Sequence, residues 1–425
     1  MIGPVSLVGL LLVFGAPVFV IIGLTSVVLF LQEGMPVEAT AQLLLSKFNS
    51  PTLLAVPFFI LAATFMQSGG IIKALIGVAE AWVGRLRGGL ALVCVVATTL
   101  FAAISGSSVA TAMAMGHALV PVMKDRGYPE AFSVGTIAAA GTLGVLIPPS
   151  LGMILFAYIA EESVLRLFLA GVVPGLLQAA LFCGYIIWRA GREGFARTDK
   201  ISGREFAARQ VRGMPALAIP IVIFVGIFGG LVSVAEAAAV SATLAITFSM
   251  LIYHNFSVRN MPEHVLGSIA STAAIMLIVA SAFMFSHWLT HTGAPADLMQ
   301  SIVDAGLEGW QFLLILNILM LILGMFLDAN SVILIIVPVV SAVLEPLGIS
   351  KAHFAVIVIV NMEIGALTPP IGLNLFVMSQ ISGLPLPKVI RGVLPYAGLM
   401  LILLALVTYV PEISMWLPDL VLGAQ

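Results

Sequence analysis

The stretch "GALTPPIGLNLF" (Gly365–Phe376) lies in a segment apolar enough to cross a bilayer, yet it holds two adjacent prolines. Each proline removes a backbone donor, and its ring clashes with the preceding turn. In hydrocarbon every unpaired carbonyl costs several kcal/mol, so a membrane helix broken here needs a reason. The same break stands earlier, in "GVLIPPSLGMILF" (Gly144–Phe156). Gly144, Leu146, Pro148 and Pro149 match Gly365, Leu367, Pro369 and Pro370 at a constant offset of 221. After a one-residue slip, Gly152 and Phe156 match Gly372 and Phe376, and Gly171 and Pro174 match Gly392 and Pro395 at 221 again. Incidental kinks would not share a spacing. The chain reads as two related halves, 1–188 and 214–425, joined by residues 189–213.

Composition sets the class. Of 425 residues, 61% are hydrophobic and 9% charged, with mean hydropathy +1.16. A soluble domain carries about 25% charged residues, so this is an all-α polytopic membrane protein. Apolar stretches of spanning length recur at 4–31, 51–67, 168–188, 214–231, 234–252, 266–290 and 390–410. Longer apolar regions, 88–121, 131–160, 310–344 and 352–380, are interrupted by polar or Gly/Pro clusters. Residues 4–31 read either as one tilted span or as two short helices split at "GAP" (15–17). The N-terminus lacks a basic region and an A-x-A-like site, so the first segment is expected to remain. A net charge of −2 leaves no footprint for nucleic acid. Cys94 and Cys183 sit in unrelated apolar segments, as core residues do. His287 and His291 share a helical face, but Trp288 stands where a zinc protease needs glutamate.

Charge orients the spans. Residues 189–213 hold seven Arg/Lys against three Asp/Glu and belong in the cytoplasm by the positive-inside rule. The 253–264 loop, with Arg259, follows inside. The 291–309 loop, with Asp297, Asp304 and Glu308 and no Lys or Arg, lies outside. Lys388 and Arg391 return the chain inside, and the C-terminus ends outside. Residues 310–344 must then enter and leave on one side, as a re-entrant hairpin. That leaves an odd number of crossings in the second half, so the first half is expected to run inverted.

Paired broken helices near the bilayer midplane are how secondary transporters build binding sites. Unwound backbone is tolerated there because it lines a wet cavity, and helix N-termini attract anions. The hairpin tips add oxygen donors. "FAAISGSSVATAMAMG" (101–116) places Ser105, Gly106, Ser107 and Ser108 in mid-segment, and "LGMFLDANSVILIIVP" (323–338) does so with Asp328, Asn330 and Ser331. Small residues also serve close helix packing; their pairing with the breaks favours ion and substrate binding. Three acidic residues lie in apolar segments and are functional candidates by default. Asp328 is at a tip, Glu363 precedes the second break, and Glu236 equally suits helix capping.

Together "SGSSVATA", "GTLGVLIPPS", "AEAAAVSA", "FLDANSVILIIVP" and "HFAVIVIVNMEIGALTPPIGLNLFV" resemble the large membrane subunit of tripartite ATP-independent periplasmic (TRAP) transporters, over nearly the whole chain. The resemblance implies the elevator-type fold of the ion transporter superfamily, with inverted repeats. It implies a sodium-driven importer of organic acids (C4-dicarboxylates, sialic acids, 2-oxo acids) in the bacterial inner membrane, with two or more coupling Na+ ions. It also implies two partners, a periplasmic binding protein and a small four-helix membrane subunit. Because the chain begins at the first span, that subunit is expected to be a separate polypeptide. One sodium site would lie between Ser105, Ser107, Ser108 and the break at Gly144 and Ile147. The other would lie between Gly324, Asp328 and the break at Gly365 and Thr368. Substrate would touch Ser107, Pro149, Asn330, Pro369 or Asn374. A self-sufficient dicarboxylate/sodium symporter or anion exporter of the same superfamily is the alternative. An intramembrane enzyme is disfavoured, since neither a Gly-x-Gly-Asp nor a His-Glu-x-x-His pattern occurs.

Overall fold

Prolines, glycines and short polar capping residues decide where this apolar chain turns. The computed structural model describes residues 2–34, 37–195, 201–254, 256 and 259–423, all helical apart from turns and connections. The first apolar segment is two helices, α1 (Ile2–Val13) and α2 (Val18–Gln32). Gly15 takes a positive φ of 66° between them, and Pro17 opens the second. Helices α3 (Val37–Phe48), α4 (Pro51–Ser68) and α5 (Ile71–Val83) follow.

Next comes a hairpin, α6 (Gly89–Ser105) and α7 (Ser108–Asp125), and then a broken helix in three pieces: α8 (Glu130–Gly141), α9 (Leu143–Leu146) and α10 (Leu151–Ala160). Helix α11 (Val164–Glu193) closes this half. The second half opens with α12 (Gly203–Phe228), α13 (Val234–Thr247, continued by a π-helical turn over Phe248–Ile252), α14 (Met261–Thr292) and α15 (Ala294–Asp304). It then repeats the pattern: hairpin α16 (Gly309–Gly324) and α17 (Ala329–Leu344), broken helix α18 (Lys351–Ala366) and α19 (Leu373–Ser382), then α20 (Leu386–Tyr409) and α21 (Glu412–Leu422). Among the described residues, seven segments are long and apolar enough to span a membrane.

The basic segment 189–213 differs from the simple linker expected of it. Helix α11 runs into it to Glu193, and α12 starts within it at Gly203. The Ser202 hydroxyl accepts the Glu205 N–H at 3.1 Å, and Arg189–Glu193 and Glu205–Arg209 are ion-paired one turn apart. Caps and such pairs sustain helix beyond the apolar part of a span. Residues 196–200, which carry part of its charge, lie outside the described residues, as do 255, 257 and 258 of the next connection.

The two halves interlock at the centre. Helix α10 lies on α17 and α19 on α7, so each broken helix sends its second piece to the other half's hairpin. Likewise α11 packs on α18 and α20 on α8. Close approach comes from glycine. A β-carbon on Gly392 would lie 1.9 Å from the Ala131 carbonyl oxygen, and one on Gly135 would lie 2.2 Å from the Gly392 carbonyl. Small residues at such crossings let backbones touch where lipid supplies no hydrophobic drive. Helices α8 and α18 are consequently buried, and polar contacts tie them to their neighbours. The Thr136 and Tyr396 hydroxyls share a hydrogen bond of 2.6 Å between α8 and α20. Asn361 on α18 donates to Asn317 Oδ1 at 2.8 Å, and Asn317 donates to the Thr408 hydroxyl at 3.0 Å.

Candidate functional site

At the first tip Gly106 adopts a positive φ of 61°, and Ser107 caps α7 by accepting the Ala110 N–H at 3.4 Å. The Thr111 hydroxyl, one turn on, donates to Ser105 Oγ at 2.8 Å, and Ser105 Oγ donates to the Ser107 carbonyl at 3.3 Å. Gly144 in the first break stands directly against this group. A β-carbon there would lie 2.5 Å from Thr111 Oγ1 and 2.9 Å from the Ser107 carbonyl oxygen. Ile147 is extended (φ −82°, ψ 124°), which takes its carbonyl out of the helical direction, and its side chain packs on Gly175. Pro149 brings its carbonyl toward Gly106. Ser150 then caps α10, accepting the Met153 N–H at 3.4 Å. Thr111 lies beyond the serine cluster of the tip, although its helical spacing from Ser107 and Ser108 puts it on their face.

The second tip meets the second break in the same way. A β-carbon on Gly365 would lie 2.5 Å from the Gly324 carbonyl carbon, and the Ile371 N–H donates to the Met325 carbonyl at 3.3 Å. Thr368 Oγ1 donates to the Ile364 carbonyl at 2.7 Å, which leaves its lone pairs available. Asp328 caps α17: its carboxylate accepts the Asn330 N–H at 3.1 Å, the Ser331 N–H at 3.4 Å and the Ser331 hydroxyl. The breaks differ in environment. Pro148 and Pro149 are buried, whereas Pro369 and Pro370 are exposed.

Both tips open on one cavity of about 150 Å³, room well beyond a single water. Ser107, Ser108, Gly324, Asp328, Asn330 and Glu363 line it. Ser105, Gly144, Ile147, Pro149, Gly365, Thr368, Pro369 and Asn374 are not in its wall. Asn374 is instead buried against α8, its amide donating to the Ala138 carbonyl at 3.4 Å. Glu236 forms a capping box with Ser233 at the start of α13. A larger, open cavity of about 570 Å³, lined by Lys47, Tyr158, Glu161, His287 and Lys351 among others, sits between α3, α10, α14 and α17. Across it the Tyr158 hydroxyl donates to the Lys47 carbonyl, and Lys47 pairs with Glu161 at 3.5 Å.

The profile of the family described as "Tripartite ATP-independent periplasmic transporter, DctM component" matches residues 5–413. The chain belongs to the DctM family. It is therefore a multi-pass membrane transporter, the large permease of a tripartite system. Among its DctM relatives, the C4-dicarboxylate TRAP transporter large permease protein of Pseudomonas aeruginosa is 42% identical over 87% of this chain and 86% of that protein. The sialic acid TRAP transporter large permease protein of Vibrio cholerae is 34% identical over 97% of each. In the isethionate permease protein DctMQ of Oleidesulfovibrio alaskensis, 33% identical, the match covers 96% of this chain but 64% of the relative. Two solved structures share the fold of this DctM chain. They are the YdaH transporter of Alcanivorax borkumensis (TM-score 0.60, 17% identity, 88% of this chain and 86% of that one) and MtrF of Neisseria gonorrhoeae (TM-score 0.63, 13%, 88% and 83%).

Proposed function

We propose that this DctM permease is a sodium-coupled importer of an organic acid anion, with the C4-dicarboxylates first among the candidates. The observation that carries the reading is the convergence of two hairpin tips and two broken helices at the interlock of the halves, around one polar cavity. Three relatives at 36–42% identity bear the C4-dicarboxylate name, which sets the order of candidate substrates. The first sodium ion is held by Ser105, Ser107, Ser108, Gly144 and Ile147, the second by Gly324, Asp328, Gly365 and Thr368. Hydroxyl and carbonyl oxygens gathered at both tips suit a hard monovalent ion. Substrate sits between the tips against Ser107 and Asn330, with Pro149, Pro369 and Asn374 behind them.

Residues 88–160 and 310–380 move as one unit against a scaffold made of the other spans, the elevator form of alternating access about a repeat interface. The halves run in opposite senses across the bacterial inner membrane. A periplasmic binding protein delivers substrate, and a separate small four-helix subunit docks on the scaffold. The test is uptake of radiolabelled succinate by proteoliposomes of the assembled complex with its binding protein, with an inward sodium gradient or with potassium in its place. Equal uptake in the two refutes coupling. Co-purification of the small subunit separates this reading from a self-sufficient symporter or exporter of the same fold.

A further inference from the structure

Glu363 has no role in the two sodium sites just described, yet it is the most deeply buried carboxyl on the cavity wall, 1% exposed. The Ser108 side chain, from the other half's hairpin, faces it. Its Oε2 has no hydrogen-bond partner among the described residues. The cavity wall offers it no Lys, Arg or His among those residues, and both oxygens of Asp328 already accept bonds at the start of α17. The matching position in the first half, at the offset of 221, is Thr142. There the hydroxyl is satisfied: it accepts from Gln178 at 2.6 Å and donates to the Ala139 carbonyl at 2.6 Å. The repeat has thus placed a closed polar contact in one half and an open carboxylate oxygen in the other.

A buried carboxylate with one oxygen unpartnered is costly until a cation or a proton compensates it. An anionic substrate in the same cavity raises that cost by like-charge repulsion. A cation relieves both. One carboxylate with an open oxygen, together with hydroxyl and carbonyl oxygens, balances a single positive charge; a divalent ion would demand more carboxylate oxygens.

We propose that Glu363 and Ser108 form a further monovalent cation site, a third one, which joins the two halves of the transport unit and lies beside the substrate. It rests on the sodium-coupled reading above. It makes Glu363 a ligand whose ion travels with the substrate, in place of a residue that only orients the second break.

The experiment measures the ratio of 22Na+ to succinate taken up by proteoliposomes of the complex with its binding protein, for wild type, Glu363→Gln and Glu363→Asp. Glutamine keeps the shape and removes the charge. The expected result is one sodium fewer per succinate for Glu363→Gln, a shallower sodium dependence, and the wild-type ratio for Glu363→Asp. An unchanged ratio in Glu363→Gln overturns the site while leaving sodium coupling intact; loss of sodium dependence in wild type overturns both. Should Glu363→Gln assemble but not transport, the shift of Tm on adding sodium chloride in place of choline chloride decides the matter. A smaller shift than wild type supports the site, and an equal shift overturns it. If the glutamine variant does not assemble, Glu363→Asp, which draws the carboxylate back by one methylene and leaves the first two sites whole, carries the same measurement. It is expected to need about tenfold more sodium for the half-maximal Tm shift, through a weakened ligand. Wild-type sodium dependence there overturns the proposal.

Discussion

Thr368 and Ile147 occupy matching places at the two breaks, but they bring different chemistry. Ile147 can offer only its carbonyl; Thr368 adds a hydroxyl whose hydrogen already serves the Ile364 carbonyl. Thr368→Val removes that oxygen at nearly constant shape. The loss of one buried ligand, about 1 to 3 kcal/mol, is expected to raise the sodium concentration for half-maximal uptake by roughly five- to 150-fold. Ile147→Val keeps the carbonyl and should leave sodium dependence near wild type. Uptake titrations that show both variants equally affected, or neither, sink the ligand assignment. Asp328 poses a second question at this scale, since its carboxylate caps α17. Asparagine caps as well as aspartate, whereas alanine forfeits about 1 kcal/mol. Asp328→Asn should therefore melt near wild type and Asp328→Ala earlier. A differential scanning measurement in which the two fall together would remove capping from its duties.

At the scale of elements, the crossing of α8 and α20 depends on two glycines with no room for a side chain. Gly392→Ala forces a methyl into the Ala131 carbonyl. Neither atom belongs to a flexible side chain, so the helices themselves must part, at a cost of about 1 to 3 kcal/mol. The expected outcome is a lower Tm in detergent and a smaller yield. Gly398, on the same helix, has open space where its β-carbon would be, so Gly398→Ala should be neutral or slightly stabilising through helix propensity alone. Comparable losses in both variants would show that propensity, not packing, sets the effect. The helix ends tell a similar story about local chemistry: Ser107, Ser150, Ser163 and Ser233 each cap the helix that follows. Such starts are a local property of the chain, because a cap acts within three residues of itself.

At the scale of the whole molecule, the contacts at the larger cavity bridge the proposed moving unit and the proposed scaffold. Helix α10 carries Tyr158 and leads to Glu161, and both reach Lys47 at the end of α3. If α10 travels while α3 stays, these contacts exist in one state and break in the other. Lys47→Cys with Tyr158→Cys, placed in a chain whose Cys94 and Cys183 are replaced by alanine, can be joined by a short bifunctional thiol reagent. The expected outcome is loss of succinate uptake with assembly intact, restored by a reducible linker once it is cut. Complete cross-linking with undiminished uptake would show that the two sides do not move relative to each other.

Composition was sufficient to establish an all-helical membrane chain, and the repeated Pro–Pro pairs and small polar tips raised the expectation of two halves, with hairpins near 88–121 and 310–344 and breaks in 131–160 and 352–380. They did so because prolines, caps and apolar runs act on the backbone within a turn or two. The same locality set the limit. Glu363 and Ser108 are 255 residues apart, and no spacing rule links them; only the interlocking of the halves puts both on one cavity wall. Asp328 was the leading acidic candidate in the sequence because it sits at a tip. The folded chain occupies its oxygens and leaves the open one on Glu363. Which polar atoms are spent and which remain free depends on neighbours brought together by tertiary packing, so that decision belongs to the fold.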